Sequence, residues 1–162
     1  MAERRLSKAR AKSRAASLVR FYVGETCYAF EVSAVEEVTN PGTLTELAEM
    51  GESVAGVTDH RGRVIPVVDL RPRFGLPGRT TGPGRKWILM RSSFGLVGFV
   101  VDRVRDVVAS PDSVESAPQV GGKEKVRGVR GVLSYEDQLV FVLDEDRLAS
   151  VVESLDVSAR EG

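Results

Sequence analysis

From Leu18 onward the apolar residues fall in short, Val-rich runs broken by Gly, Pro and Asp. β-Branched side chains fit a pleated, half-buried surface, so these runs predict strands. The clearest are Leu18–Val23, Tyr28–Val32, Val64–Asp69, Trp87–Arg91, Leu96–Val101 and Leu139–Leu143. Weaker patterns occur at Val35–Val38, Val54–Asp59, Val104–Val108 and Val129–Tyr135. Two helices are predicted. Thr43-Leu-Thr-Glu46 has the form of a capping box, in which the Thr and Glu side chains satisfy the first free backbone N–H groups. Near the end, Leu148, Val151, Val152 and Leu155 share one face of a helix. Gly75–Lys86, rich in Gly and Pro, is a loop.

Part of this pattern occurs twice. Ala29-Phe-Glu-Val-Ser-Ala-Val-Glu-Glu-Val38 aligns with Gly98-Phe-Val-Val-Asp-Arg-Val-Arg-Asp-Val107, with Phe30/Phe99, Val32/Val101, Val35/Val104 and Val38/Val107 identical. Gly56-Val57 followed by Val64–Asp69 aligns with Gly131-Val132 followed by Leu139–Asp144, in the same order. Two similar β units of about 60 residues are implied, each marginal alone and stabilised by packing on the other. Two small barrels are the natural solution, because closure removes exposed sheet edges.

Composition narrows the class. The chain has 162 residues, one His, one Cys, and 23 basic residues against 23 acidic ones. One Cys excludes a disulfide framework, and one Cys with one His cannot form a conventional structural zinc site. The longest clean apolar run, Phe94–Val101, is far short of the ~20 residues that cross a bilayer. The basic start lacks the apolar segment of a secretory signal. A soluble cytoplasmic protein, not inserted in a membrane, is expected. The zero net charge hides a split: residues 1–17 carry Arg4, Arg5, Lys8, Arg10, Lys12 and Arg14 against Glu3 alone, leaving a mildly acidic body. This tail could touch nucleic acid non-specifically by counterion release, but no aromatic is interleaved for base stacking. It reads as a solvated, disordered extension, and nucleic acid is not the expected partner.

The search for catalytic chemistry returns little. His60 has only Asp59 and Arg61 as sequence neighbours, whose side chains point to other faces of a strand, so it reads as a strand-end residue. Cys27 reads as a small buried hydrophobe. Asp69 and Asp144 close the two copies of one strand; an active site would occur once, so they read as turn or cap residues. Gly78–Lys86 lacks the spacing of a phosphate loop, and Pro83 removes a backbone donor. No enzyme, cofactor or metal is expected. Arg61-Gly62 stands out, since the Gly lets the chain reverse and leaves the Arg at a hairpin tip. There its five-donor fork can meet a partner's carboxylate or backbone, or form an internal salt bridge; both readings are open.

Three ordered motifs resemble the CheW family of chemotaxis coupling proteins. They are Val35-Glu36-Glu37-Val38; Gly56-Val57-Thr58-Asp59-His60-Arg61-Gly62 with Pro66-Val67-Val68-Asp69-Leu70; and Val97–Val107. The resemblance spans Leu18 to Ala149. It implies an all-β fold of two packed five-stranded SH3-like β-barrels with short helices. It also implies a non-enzymatic adaptor binding the signalling tip of a chemoreceptor (a methyl-accepting chemotaxis protein) and the regulatory domain of a CheA-type histidine kinase, at receptor clusters. By motif, Val35, Glu37, Gly56, Arg61, Gly98, Val104 and Val107 are expected at or beneath partner-binding surfaces, with Val35 and Val104 flanking a groove between barrels. The expected organisation is a tail at 1–17, a CheW-like domain at 18–150 with repeat halves near 18–76 and 87–149, and a helix end and tail at 151–162. Asp59-His60 replaces the family's Asn-Leu, and a proline common before Gly56 is missing. These departures suggest a specialised paralogue, in a non-flagellar motility or developmental pathway.

Overall fold

The strongest predicted strands are apolar at almost every position, a pattern expected only when both faces of a strand are covered. The computed structural model, which describes residues 17–48, 50–110, 115–116 and 128–153, shows what covers them. In β1 (Ser17–Val23), Leu18 and Tyr22 face one apolar cluster while Val19, Phe21 and Val23 face another. In β6 (Lys86–Ser92), Trp87 and Leu89 likewise face one cluster, and Ile88 and Met90 the other. Each sheet curls around a small core of its own, and its outer face meets the other sheet. The shared core between them is the largest of the three, and in it Phe30 stacks on Phe21 and meets Phe99 at a tilt.

The remaining elements are β2 (Thr26–Glu31), a 3-10 turn Val32–Ala34, β3 (Val35–Thr39), β4 (Val54–His60), β5 (Arg63–Asp69) and α1 (Leu70–Arg73). They continue with β7 (Gly95–Val101), β8 (Arg103–Ala109), the two-residue β9 (Glu115–Ser116), β10 (Val129–Tyr135), β11 (Gln138–Leu143), α2 (Glu145–Ala149) and a 3-10 turn Ser150–Val152. The first sheet runs β3-β6-β7-β5-β4, and the second β8-β1-β2-β11-β10-β9. The fold is thus all-β, with two packed SH3-like barrels, the second extended by β9.

The barrels do not coincide with the halves of the sequence. Through the repeat, hairpin β1–β2 corresponds to β6–β7, and β3, β4, β5 correspond to β8, β10, β11. Each sheet therefore combines the hairpin of one half with three strands of the other. The registers agree: the parallel pairing Val67↔Gly98 in the first sheet has its counterpart in Val142↔Ala29 in the second. Exchange of hairpins makes each barrel depend on both halves.

Asp69 and Asp144 are the caps expected. The Asp69 carboxylate accepts from Arg71 N at the start of α1, and Asp144 from Asp146 N and Arg147 N at the start of α2. Two helical predictions change. The segment after Thr43 is not helical: Thr45 exchanges backbone hydrogen bonds of 2.8 and 2.9 Å with Val57, and Thr58 Oγ1 donates to the Thr43 carbonyl. Pairing with the edge of β4 satisfies these backbone groups and outcompetes the capping box. The C-terminal helix is α2 and the following 3-10 turn, burying Leu148 and Val152; Leu155, like residues 1–16 of the basic tail, lies outside the described residues. Ser17, the last residue assigned to that tail, instead begins β1.

Candidate partner-binding surface

β3 carries an extra residue. Its register against β6 shifts between Val35↔Met90 and Glu37↔Leu89, so Glu36 bulges. Arg91 on β6 holds the bulge: it pairs with Glu36 and donates to the carbonyls of Ser33 (2.9 Å) and Val35 (3.2 Å). Beyond the bulge, the Glu37 carboxylate reaches the tip of hairpin β4–β5.

That tip is a two-residue turn with both central residues in the left-handed region, Arg61 at φ 53° and Gly62 at φ 80°. Two positive φ angles match the right-handed twist of a hairpin. Gly adopts them freely, whereas an Arg there costs about 1 kcal/mol. Asp59 Oδ1 accepts from Gly62 N at 2.9 Å and fixes the turn. One carboxylate then meets two neighbouring groups. Glu37 Oε1 accepts from Arg61 Nη2 at 3.1 Å, and Glu37 Oε2 lies 2.9 Å from His60 Nε2. Arg61 remains 75% exposed, while Glu37 and His60 are 29% and 25% exposed. The internal salt bridge is formed, with Glu37, and the side chain is otherwise mostly exposed.

The other expected residues divide between the barrels. Val35 and Val104 are half-buried and pack at the margin of the shared core. Val107 is exposed on β8, as is its repeat counterpart Val38 on β3; Val64 and Leu139 form a second such exposed pair. Gly56 is buried at φ 155°, and a Cβ there would come within 2.7 Å of the Thr45 carbonyl oxygen. Gly98 is also buried, facing Leu89 and Val67 inside the first barrel. The structure thus brings Glu37 and Arg61 into contact, sets Gly56 and Gly98 beneath the surface, and leaves Val104 and Val107 on the second barrel.

Two participants were not foreseen. His60 was read from its sequence neighbours alone, although its partner lies on another strand. Arg20 stands inside an apolar strand and is 2% exposed, with Nε and Nη2 donating to Asp106 at 2.7 and 2.6 Å. Its guanidinium lies 4.4 Å from the Tyr135 ring centroid. The guanidinium beside it holds the Asp106 carboxyl below the usual aspartate range. Period-2 placement with Leu18 and Tyr22 was the available signal for an inward Arg. Cys27 is buried, and burial pushes its thiol up, which agrees with a packing role. Among the described residues, no cluster of His, Cys, Asp or Glu could hold a metal ion, and no helix is long and apolar enough to cross a membrane.

The CheW-like domain model matches residues 17–153, essentially the span of both barrels. The chain belongs to the CheW family. It is 25% identical over 131 residues to the chemotaxis protein CheW of Klebsiella aerogenes, covering 80% of this chain and 79% of that one. It is 29% identical over 113 residues to the protein FrzA of Myxococcus xanthus, covering 70% and 71%. The crystal structure of the scaffolding protein TtCheW from Thermoanaerobacter tengcongensis superposes with a TM-score of 0.76 at 27% identity, covering 82% of this chain and 90% of that one. The Glu37–Arg61 pair therefore sits within a CheW-like domain, with one partner on each of two of its ordered motifs.

Proposed function

We propose that this CheW-like domain, residues 18–150, is a non-enzymatic cytoplasmic adaptor joining the signalling tip of a chemoreceptor to the regulatory domain of a CheA-type histidine kinase. The observation that carries the proposal is Arg61, held at a strained hairpin tip by Glu37 yet three-quarters exposed. A cation carried at a fixed hairpin tip, with most of its donors exposed, can meet a partner's carboxylate. Val35, at the margin of the shared core, supplies the apolar part of the contact, and a receptor helix would lay its own apolar face there. Val104 and Val107 on β8 provide a second apolar contact surface for these partners. Gly56 and Gly98 act from beneath, by keeping the strands close. The experiment is a binding titration with a receptor signalling fragment. Arg61→Glu should lose most of the affinity while its unfolding curve stays unchanged. Normal receptor binding by a folded Arg61→Glu would overturn the site.

A second reading is a specialised paralogue serving a non-flagellar motility or developmental pathway. The similarity to FrzA and the Asp59-His60 departure favour it. Under this reading the chain binds a receptor fragment but couples weakly to the kinase of a flagellar pathway, which a reconstituted kinase assay measures.

A further inference from the structure

The Glu37 carboxylate has two claimants, Arg61 at 3.1 Å and His60 at 2.9 Å, one on each oxygen. A guanidinium keeps its charge in proteins, whereas an imidazole changes charge within the physiological range. With a neutral imidazole, the Glu37–Arg61 pair is internally compensated. With an imidazolium, one negative charge serves two cations that also repel each other. We propose that His60 and Arg61 compete for Glu37, so that protonation of His60 releases the Arg61 fork to an acidic partner segment. The proposal rests on the functional reading above, in which this rim meets a partner.

The surroundings suit such exchange. Asp59, beside His60 on the hairpin, is committed to the Gly62 N–H. Arg63 lies opposite His60 across the hairpin, and Arg61 follows it. Lys86 is engaged by the side-chain oxygen of Asn40. Glu37 on β3 is thus the carboxylate in hydrogen-bond contact with the ring. His60 lines an open cleft of about 280 Å³ with Thr39, Asn40, Thr58, Asp59 and Trp87, through which water and protons reach the ring. Arg61 is the exposed claimant, and exposed ion pairs are weak enough to be displaced.

The sign follows from the charges. As pH falls and His60 gains a proton, the rim becomes more positive and Arg61 is freed, so affinity for an acidic partner rises. The expected gain is about two- to fivefold, the range of one exposed ion pair. The chain has a single His, so the imidazole titration can be followed by NMR without assignment ambiguity. In the free protein, the Arg61 Nε–H signal should move with the same midpoint as the His60 ring. It should be insensitive over that range in His60→Gln and in Glu37→Gln. An Arg61 signal indifferent to the imidazole titration in the unaltered protein would overturn the proposal. The second arm is receptor-fragment affinity against pH, in which the unaltered protein gains affinity on acidification and His60→Gln does not. If Arg61 responds to His60 but receptor affinity shows no such dependence, the competition stands and the placement of the partner at this rim fails.

Discussion

In the first barrel, edge strand β3 is tied to the tip of hairpin β4–β5 by one carboxylate, Glu37, which holds a partly buried His60 and an exposed Arg61. In the second barrel the equivalent strand, β8, is tied by a buried residue. Arg20 grips Asp106 with two hydrogen bonds and stacks on Tyr135. Around it, Arg105 donates to Gln138 and Tyr22, and Arg103 lies over the Tyr22 ring. Glu37 and Asp106 occupy matching positions in the repeat, so the same carboxylate does different work in each copy. In one copy the cation is buried in the core, and in the other it stands at the surface. A duplicated fold can thus bury one copy of a contact and leave the other at the surface.

The largest test of this contrast is Arg20→Ala, which removes one of the largest fully buried side chains and its bond to Asp106. A loss of about 2–4 kcal/mol is expected, read from urea unfolding. Arg20→Leu, which places at β1 the residue type found at the matching position Leu89 of β6, should recover about half of that loss. If Arg20→Ala costs no more than Glu37→Gln, the contrast between the seams fails.

The two caps sharpen the comparison. Asp69 is buried, and besides capping α1 it accepts from Thr80 N at 2.8 Å and Thr80 Oγ1 at 2.6 Å, which pins the long loop before β6. Asp144 caps α2 from a more open position. Asp69→Ala should cost about 2–3 kcal/mol and Asp144→Ala about 1 kcal/mol, by thermal or urea unfolding.

Acid separates the seams without a mutation. Asp106 titrates below the ordinary aspartate range because Arg20 bonds to its ionised form. Its folded value is thus depressed relative to the unfolded chain, near 3.9. The stabilisation is fully present above that value and is lost as pH falls through the depressed one. The stability profile below about pH 4 should therefore flatten in Asp106→Asn.

The smallest stability effect is expected where the functional effect is greatest. Glu37→Gln should change unfolding free energy by about 0.5 kcal/mol or less, as for other exposed pairs. Arg61→Asn should raise stability by about 0.5 kcal/mol, because Asn tolerates the left-handed region better. Arg61→Asn should nevertheless weaken receptor binding, whereas Glu37→Gln, which frees the Arg61 fork, should retain or raise it. A variant that gains stability while losing affinity would mark Arg61 as strained in the service of contact.

Much of this was legible in the chain. The Val-rich runs located ten of the strands within a few residues, and the doubled Asp69 and Asp144 marked two turn or cap positions, both of which cap helices. Arg61-Gly62 announced a hairpin tip, and the ordered motifs announced the family. The Thr43 capping box misled because a local signal lost to the nearby edge of β4, which needed Thr45 as a partner. His60 was passed over because its meaning depends on Glu37, and Arg20 because its meaning depends on Asp106.

The sequence by itself determined the strands, the caps and the turn, since each depends on residues within a few positions of one another, and the duplication, since the same pattern of residues recurs along the chain. Only the tertiary structure decided that the two halves exchange hairpins, that Arg20 is buried, and that Glu37 is shared. Those outcomes rest on partners 24 and 86 residues apart, for Arg61–Glu37 and Arg20–Asp106. Whether a charge is a structural tie or an exposed contact depends on how much water surrounds it. That is fixed when one sheet closes over another, and no local pattern of residues encodes it.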